Sequence, residues 1–362
     1  MHSSTALPIT DIKTKTAINY DRAEKHLCEL LLTKDLDNRL DELHSVISNV
    51  EKTIDFAIEA AYQTTSGDNA AHLFLQRILY RINRLKLFWY DDLQSYINED
   101  SFYLQKLRYR IESVWQRWEI AQLDVESFKG IDVKKALHEK VAADIEPPLS
   151  EDNLYYRDEL TMAGYRRLVA IGSLDGLVEA SQISRTLGGV SNEIHAVLTR
   201  LLLEEYGGGR LARKHSSYFI TMLEKLGMET QPEAYFDLVP WQLLATINHM
   251  FVVTERKSHF LRYIGGLLYG ELSVPSGLRP YQAAGKRLGL SAEETSYWDI
   301  HIKVDELHGK WMLDDAALPL IEKYPQDAWE ILLGYEQQKL LGSRSRKAVT
   351  QAVREADMRE RD

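Results

Sequence analysis

The chain is predicted to be all-α. Apolar residues recur at three- and four-residue steps through most of its length, no run of alternating β-branched residues is long enough for a confident strand, and glycine and proline collect at a few breaks. Its 362 residues exceed a typical single domain of roughly 100–200 residues, so a two-domain layout is expected. At 44% hydrophobic and 27% charged residues the composition is that of a folded globular protein.

The first segment, through Asp21, has no continuous apolar stretch of the kind a secretory leader needs. Nor does the chain contain an uninterrupted apolar run of about 18 residues, so no membrane span and a cytoplasmic location are expected. From Asn19 to Leu123, positions such as Leu36, Leu40, Leu43, Val46, Ile47 and Val50 mark amphipathic helices, two to four in number, with Ser66-Gly67-Asp68 as the clearest break. Phe88, Trp89, Tyr90, Trp115 and Trp118 add large apolar surfaces. Such faces need covering, and two arrangements do it: a homodimer, or packing on the rest of the same chain.

Pro147-Pro148 followed by Ser150-Glu151-Asp152-Asn153 reads as a linker, because proline disfavours helix and the acidic run has nothing apolar to bury. The predicted layout is therefore an N-terminal helical domain over 1–145, a linker over 146–153, a second helical domain over 154–341 and a charged tail over 342–362, solvated or frayed. In the second domain the helices are separated at Gly188-Gly189, Gly207-Gly208-Gly209, Gly227, the stretch Pro275 to Pro280, and Gly285 with Gly289.

Charge and cysteine content narrow the function. A net charge of -10 and a pI near 5.6 argue against a general nucleic-acid binder, which needs a basic face. Cys28 is the single cysteine and lies in a leucine-rich helix, so within one chain there is no disulfide, iron–sulfur cluster or cysteine-rich zinc site, and any metal must rest on His, Asp and Glu. No Ser/His/Asp or Cys/His nucleophile arrangement stands out.

The most informative segment is His301-Ile302-Lys303-Val304-Asp305-Glu306-Leu307-His308. Positions i, i+4 and i+7 fall within roughly 60° of one another on a helix, so His301, Asp305 and His308 share a face. Imidazole and carboxylate donors suit iron, zinc or manganese, although a polar surface face explains this triad alone equally well. An internal control is Asp41-Glu42-Leu43-His44, which repeats four of the letters but has Asp37 where His301 would stand; it reads as a solvated face. Leu203-Glu204-Glu205-Tyr206 runs into three glycines and then Lys214-His215. In one straight helix Glu205 and His215 would stand about 15 Å apart, so they serve one site only if the glycines break the helix. No Gly-Lys-Ser/Thr follows, which disfavours a phosphate loop. His195, His249 and His259 read as core or surface histidines, and Tyr206 and Tyr263 as core aromatics that could also line a pocket.

Taken together, Glu179-Ala180-Ser181, then Glu205-Tyr206-Gly207 with His215, then Arg262-Tyr263-Ile264-Gly265 leading to Glu271, then His301, Asp305 and His308, resemble the ligand set of the heme-oxygenase-like diiron oxidases and oxygenases, the N-oxygenating members above all. The resemblance covers roughly Leu154 to Leu341 and shows no C-terminal cupin of the kind some of those members carry. It implies a heme-oxygenase-like helical bundle in which Glu179, Glu205, His215, Glu271, His301, Asp305 and His308 are both metal ligands and catalytic residues. Glu179, His215 and His301 would hold one iron, Glu205, Asp305 and His308 the other, and Glu271 would complete or bridge the pair. Four carboxylates match the charge of two Fe(II) ions.

The same resemblance implies two iron ions cycling between Fe(II) and Fe(III), O₂ as co-substrate, a peroxo-diiron(III) species and an external electron donor such as a reductase. The product would be an N-oxygenated small amine, guanidine or amino-acid-derived compound in natural product biosynthesis. Oxidative C–C cleavage or desaturation of an amino or fatty acid is the runner-up, and a non-catalytic helical binding module is the reading from another class. The ferritin-like alternative requires two Glu-x-x-His motifs, and the sequence has none.

Overall fold

A computed structural model describes residues 18–64, 67–88, 92–189 and 192–361, so the readings made of the first 17 residues and of Ser66, Trp89 and Tyr90 lie outside the described residues. The described residues contain no strand. Helices α1 (Tyr20–Leu31), α2 (His44–Tyr62), α3 (Asn69–Asn83) and α4 (Phe102–Ile120) come first, followed by α5 (Val133–Asp144), α6 (Glu151–Asp158), α7 (Met162–Gly176) and the short α8 (Ser181–Ser184). Next are α9 (Glu193–Glu205), α10 (His215–Lys225), α11 (Trp241–Thr254), α12 (Phe260–Arg287), α13 (Ser296–Trp311), α14 (Leu318–Lys323) and α15 (Trp329–Arg361), with a π-helical turn at Met312–Ala317. No helix among the described residues is long and apolar enough to cross a membrane.

Helices α1 to α4 close around Leu27, Leu75, Ile78, Ile111 and Trp115, and that core takes in Trp241, Ala245 and Val252 of α11 and Leu341 of α15. Polar contacts join the same surfaces: Asn83 Nδ2 donates to Asn248 Oδ1 at 2.9 Å, and Trp241 Nε1 to Asn69 Oδ1 at 3.0 Å. Much of the apolar surface behind the homodimer expectation, Trp115 and Trp118 included, is covered within the chain, while Phe88, Phe102 and Tyr109 stay exposed. Asp37, at the control position, caps α4 instead: it accepts from Ser101 Oγ and from the backbone N–H groups of Phe102 and Tyr103.

Two expected boundaries shift. Leu137 and Val141 of α5 pack in the core of the second half, so the first unit does not run intact to 145. The acidic Glu151-Asp152-Asn153 opens α6 under a Ser150 cap rather than extending the linker, as the helix dipole favours. The expected break between Pro275 and Pro280 is also absent, because α12 runs through both prolines while packed on α13 and α15.

The region 342–362 differs most from its expected solvated tail. Through Arg361 it is the second half of α15, which lies along α7. Ser345, Val349, Val353 and Asp357 recur every four residues on the inner face. Tyr156 donates to Thr350 at 3.0 Å, and Asp357 accepts from Tyr155 Oη at 2.5 Å and Thr161 Oγ1 at 2.7 Å. The flanking charges hide this narrow stripe in the sequence. Where α12 crosses α15, Gly265 meets the Ile331 carbonyl and Gly334 the Arg262 carbonyl so closely that no Cβ fits at either. That contact fixes Glu271, further along α12, opposite α13.

Candidate metal centre

Each of the seven candidate residues sits where the backbone departs from a plain helix or where helices meet. After α7 ends, Ala180 takes a left-handed φ of 60°, and this kink turns Glu179 inward between α7 and α8. Glu205 is the last residue of α9. The glycines that follow have φ of 61°, 64° and 77°, and Gly207 abuts the Arg213 backbone so closely that a side chain would collide. The chain reverses there and α10 starts at His215, bringing His215 Nδ1 to 2.8 Å from Glu205 Oε2, the break that a shared site requires. On α12, Pro275 offers no N–H to the Glu271 carbonyl, loosening the ladder at that turn. On α13 the face predicted from spacing points inward: His301, Asp305 and His308 are buried.

The seven side chains converge. His301 Nε2 lies 2.8 Å from Glu179 Oε1 and 3.2 Å from His215 Nδ1. His308 Nδ1 lies 3.3 Å from Glu205 Oε1, 3.3 Å from Glu271 Oε2 and 3.4 Å from Asp305 Oδ1. Two groups have donor atoms all within 4.8 Å of one another, Glu179/Glu205/His215/His301 and Glu205/Asp305/His308; Glu205 belongs to both, one oxygen facing each.

Tyr297 went unnoticed in the sequence and orders the first group. Its hydroxyl donates to Glu179 Oε1 at 2.7 Å, while its carbonyl lies 2.7 Å from His301 Nδ1. A carbonyl can only accept, so Nδ1 carries a proton and Nε2 is the atom turned to the cluster, available as a ligand once it gives up its own proton. Its position four residues before His301 is the signal that could have found it. His195, His249 and His259 stay outside. His195 bonds the Thr186 carbonyl, His249 is buried beside Gln116, and His259 bonds the Val252 carbonyl. Tyr263 is core, as its default reading had it.

The electrostatics show what this cluster lacks. Burial drives Glu205 well above the ordinary carboxylate range, and Glu179 and Glu271 push it further. Burial lifts Asp305 to about 7, partly offset by the His308 imidazole 3.4 Å away. Burial works against charge on His301 and His308, yet the carboxylates beside them raise both to about 10. Burial and the neighbouring His301 lower His215 to about 4. Four carboxylates have been packed together and draw protons onto any group that can hold them, which is a demand for positive charge. Buried Glu179 Oε2, Asp305 Oδ1 and His308 Nδ1 have no hydrogen-bond partner. Orphaned donor-set atoms around two overlapping ligand groups fit a pair of divalent cations, and the O/N composition fits iron.

Beside the cluster lies a cavity of about 470 Å³, walled mainly by apolar side chains including Leu168, Ile171, Phe219, Phe251, Leu267 and Trp298. Glu179, Glu205, Glu271, His301 and Asp305 form part of its wall. Asp175, one turn before Glu179, is exposed and opens into it.

Comparison with known proteins places this architecture. A family model described as an iron-containing redox enzyme matches residues 166–342, inside the expected second domain but for one residue. The nitrosourea synthase of Streptomyces achromogenes subsp. streptozoticus is 27% identical over 168 residues, covering 46% of this chain and 36% of that protein. The chain thus matches little more than a third of that relative's length. Over residues 166–342, just under half of the chain, the sequence thus matches the iron-containing redox enzyme family, and the all-helical architecture fits a heme-oxygenase-like fold.

Proposed function

We propose that the chain is an O₂-dependent oxygenase with two irons, acting on a nitrogen of a small amine, guanidine or amino-acid-derived compound. The observation that carries this reading is the pair of ligand groups sharing Glu205. Glu179, His215 and His301 would hold one iron, Asp305 and His308 the other, with Glu205 between them and Glu271 closing the second position. Iron bound there would supply the reducing equivalents and Lewis acidity for O₂ activation, with an external donor such as a reductase restoring it.

The chain's own residues do the rest. Tyr297 fixes Glu179 and the His301 tautomer together, so the first group is set before any ion arrives. The apolar cavity wall excludes water and holds a substrate against Glu179, Glu205 and Glu271. Similarity to a protein named nitrosourea synthase, which bears an N-nitroso group in its product's name, supports nitrogen as the acceptor. The apolar wall also favours a second reading, oxidative cleavage or desaturation of a carbon chain.

The test is anaerobic Fe(II) titration followed by rapid mixing with O₂, comparing the wild type with His301→Ala. About two irons per chain and a transient visible absorption that the substitution abolishes are expected. No iron uptake would overturn the reading and favour a helical binding module.

A further inference from the structure

Two charges on the cavity wall have no counter-charge. Asp175, on α7, is exposed where it opens into the cavity, and among the described residues its carboxylate accepts no hydrogen bond and pairs with no cation, so a ligand filling the cavity would take its water and have to replace it. Arg346, on α15, lines the same cavity with its guanidinium near Tyr281, and it too forms no ion pair or side-chain hydrogen bond among the described residues. This contrasts with the rest of the molecule, where half-buried arginines such as Arg77, Arg81 and Arg344 reach carboxylates. A third wall group, Gln338, has a buried side-chain oxygen with no donor.

The helices fix how far apart the charges are. Thirteen-odd residues of α7 separate Asp175 from the Thr161–Asp357 contact, and α15 runs back from the same contact to Arg346, so the helices are antiparallel and the two charges differ in level by roughly 5 Å. With helix axes about 8–10 Å apart, the charged groups face one small volume without reaching each other. An apolar ligand would leave both charges desolvated and unpaired, and a singly charged one would leave one of them so; each case costs binding energy.

We propose that the cavity takes a small zwitterion, an amino-acid-like molecule whose basic nitrogen lies against Asp175 and whose carboxylate pairs with Arg346. Gln338 Oε1 would accept from a second N–H of the same ligand. Because Asp175 stands one turn before Glu179, the nitrogen is delivered next to the candidate metal centre while the carboxylate is kept away from it. The assignment deepens the oxygenase reading, on which it rests only for the fate of that nitrogen.

The test uses the full chain, loaded anaerobically with Fe(II), and a length series of probes: ω-amino carboxylates of four to seven carbons with the matching alkylamines and alkyl carboxylates. Affinity is read by calorimetry, and iron content is measured for every variant. At the best length the amino carboxylate is expected to bind about ten-fold or more tighter than either singly charged analogue. Arg346→Met should reduce it to the level of the amine, Arg346→Lys should keep most of the preference, and Asp175→Asn should reduce it to the level of the carboxylate. Equal binding of a singly charged analogue, unchanged binding in the variants, or no binding anywhere in the series overturns the proposal. If iron fails to bind while the charge preference persists, the metal reading falls and this assignment stands; if iron binds without the preference, this assignment falls and the metal reading stands.

Discussion

Two buried clusters of charge in this chain look alike in composition and differ in kind. At the junction of α4 and α11, Arg108 Nε donates to Glu112 at 2.8 Å and Arg108 Nη1 to Glu255 at 2.6 Å, and Arg256 also reaches Glu112. Two cations meet two anions, so the cluster is neutral within itself. The Glu179/Glu205/Glu271/Asp305 cluster has four carboxylates, three histidines and no Arg or Lys, and it leaves ligand-type atoms without partners. The first holds the N-terminal helices onto the second half of the chain. The second is incomplete as protein alone, and a buried charge imbalance of that size persists only where something else is meant to bind.

Substitutions in the two clusters should therefore move stability in opposite directions. The largest effect is expected for Glu112→Ala, which strands Arg256 and leaves two cations sharing the Glu255 carboxylate: about 3–5 kcal/mol of stability lost, read by denaturant unfolding, with the iron content of the folded fraction unchanged. A loss under about 1 kcal/mol would make that cluster ornamental. Asp357→Ala sits between the two cases, since this buried carboxylate is satisfied by neutral donors. Freeing Tyr155 Oη and Thr161 Oγ1 should cost about 2 kcal/mol in the same measurement. Glu205→Gln should instead stabilise the metal-free protein by about 1 kcal/mol, because it removes one of the crowded carboxylates, while reducing iron uptake to one per chain or less. Destabilisation of the metal-free form by this change would mean that the cluster is balanced without metal.

The contrast also explains what the sequence could show. The α13 face was legible because three ligands lie within eight residues of one helix, where spacing alone sets direction. Glu205 and His215 became a pair only once the glycines were read as a chain reversal, and Glu179 and Glu271 needed the family pattern, since no local periodicity links residues brought together by the α12–α15 crossing and by the kink at Ala180. Tyr297 acts partly through its backbone carbonyl, which any residue type would supply, so its identity advertised little. The α15 tail was misread for a different reason: one inward residue in four, among them Ser345 and Asp357, is too thin and too polar a stripe to register as a buried face.

A shift that changes no residue separates the clusters by pH. His301 and His308 are held at about 10 in the metal-free protein, against 6.5 for free histidine, and Asp305 at about 7 against 3.8. Groups whose pKa is higher when folded bind more protons in the native state. Their contribution to stability is full below the unfolded values and is lost as pH rises, through about 7 for Asp305 and towards 10 for the histidines. His215, lowered to about 4, acts below 6.5 and does not enter this window. Metal-free protein should therefore lose Tm steadily between pH 7 and 9. With a redox-silent divalent ion such as Zn(II) bound, the ligands are already deprotonated and the cation supplies the positive charge, so this loss disappears and the gap in Tm between loaded and metal-free protein widens with pH. In Glu112→Gln the gap should widen as in the wild type, because the neutral cluster takes no part in it; in Asp305→Asn it should be nearly flat. A wild-type gap that stays constant from pH 6 to 9 would show that the carboxylate–histidine cluster balances its own charge, as the Arg108 cluster does.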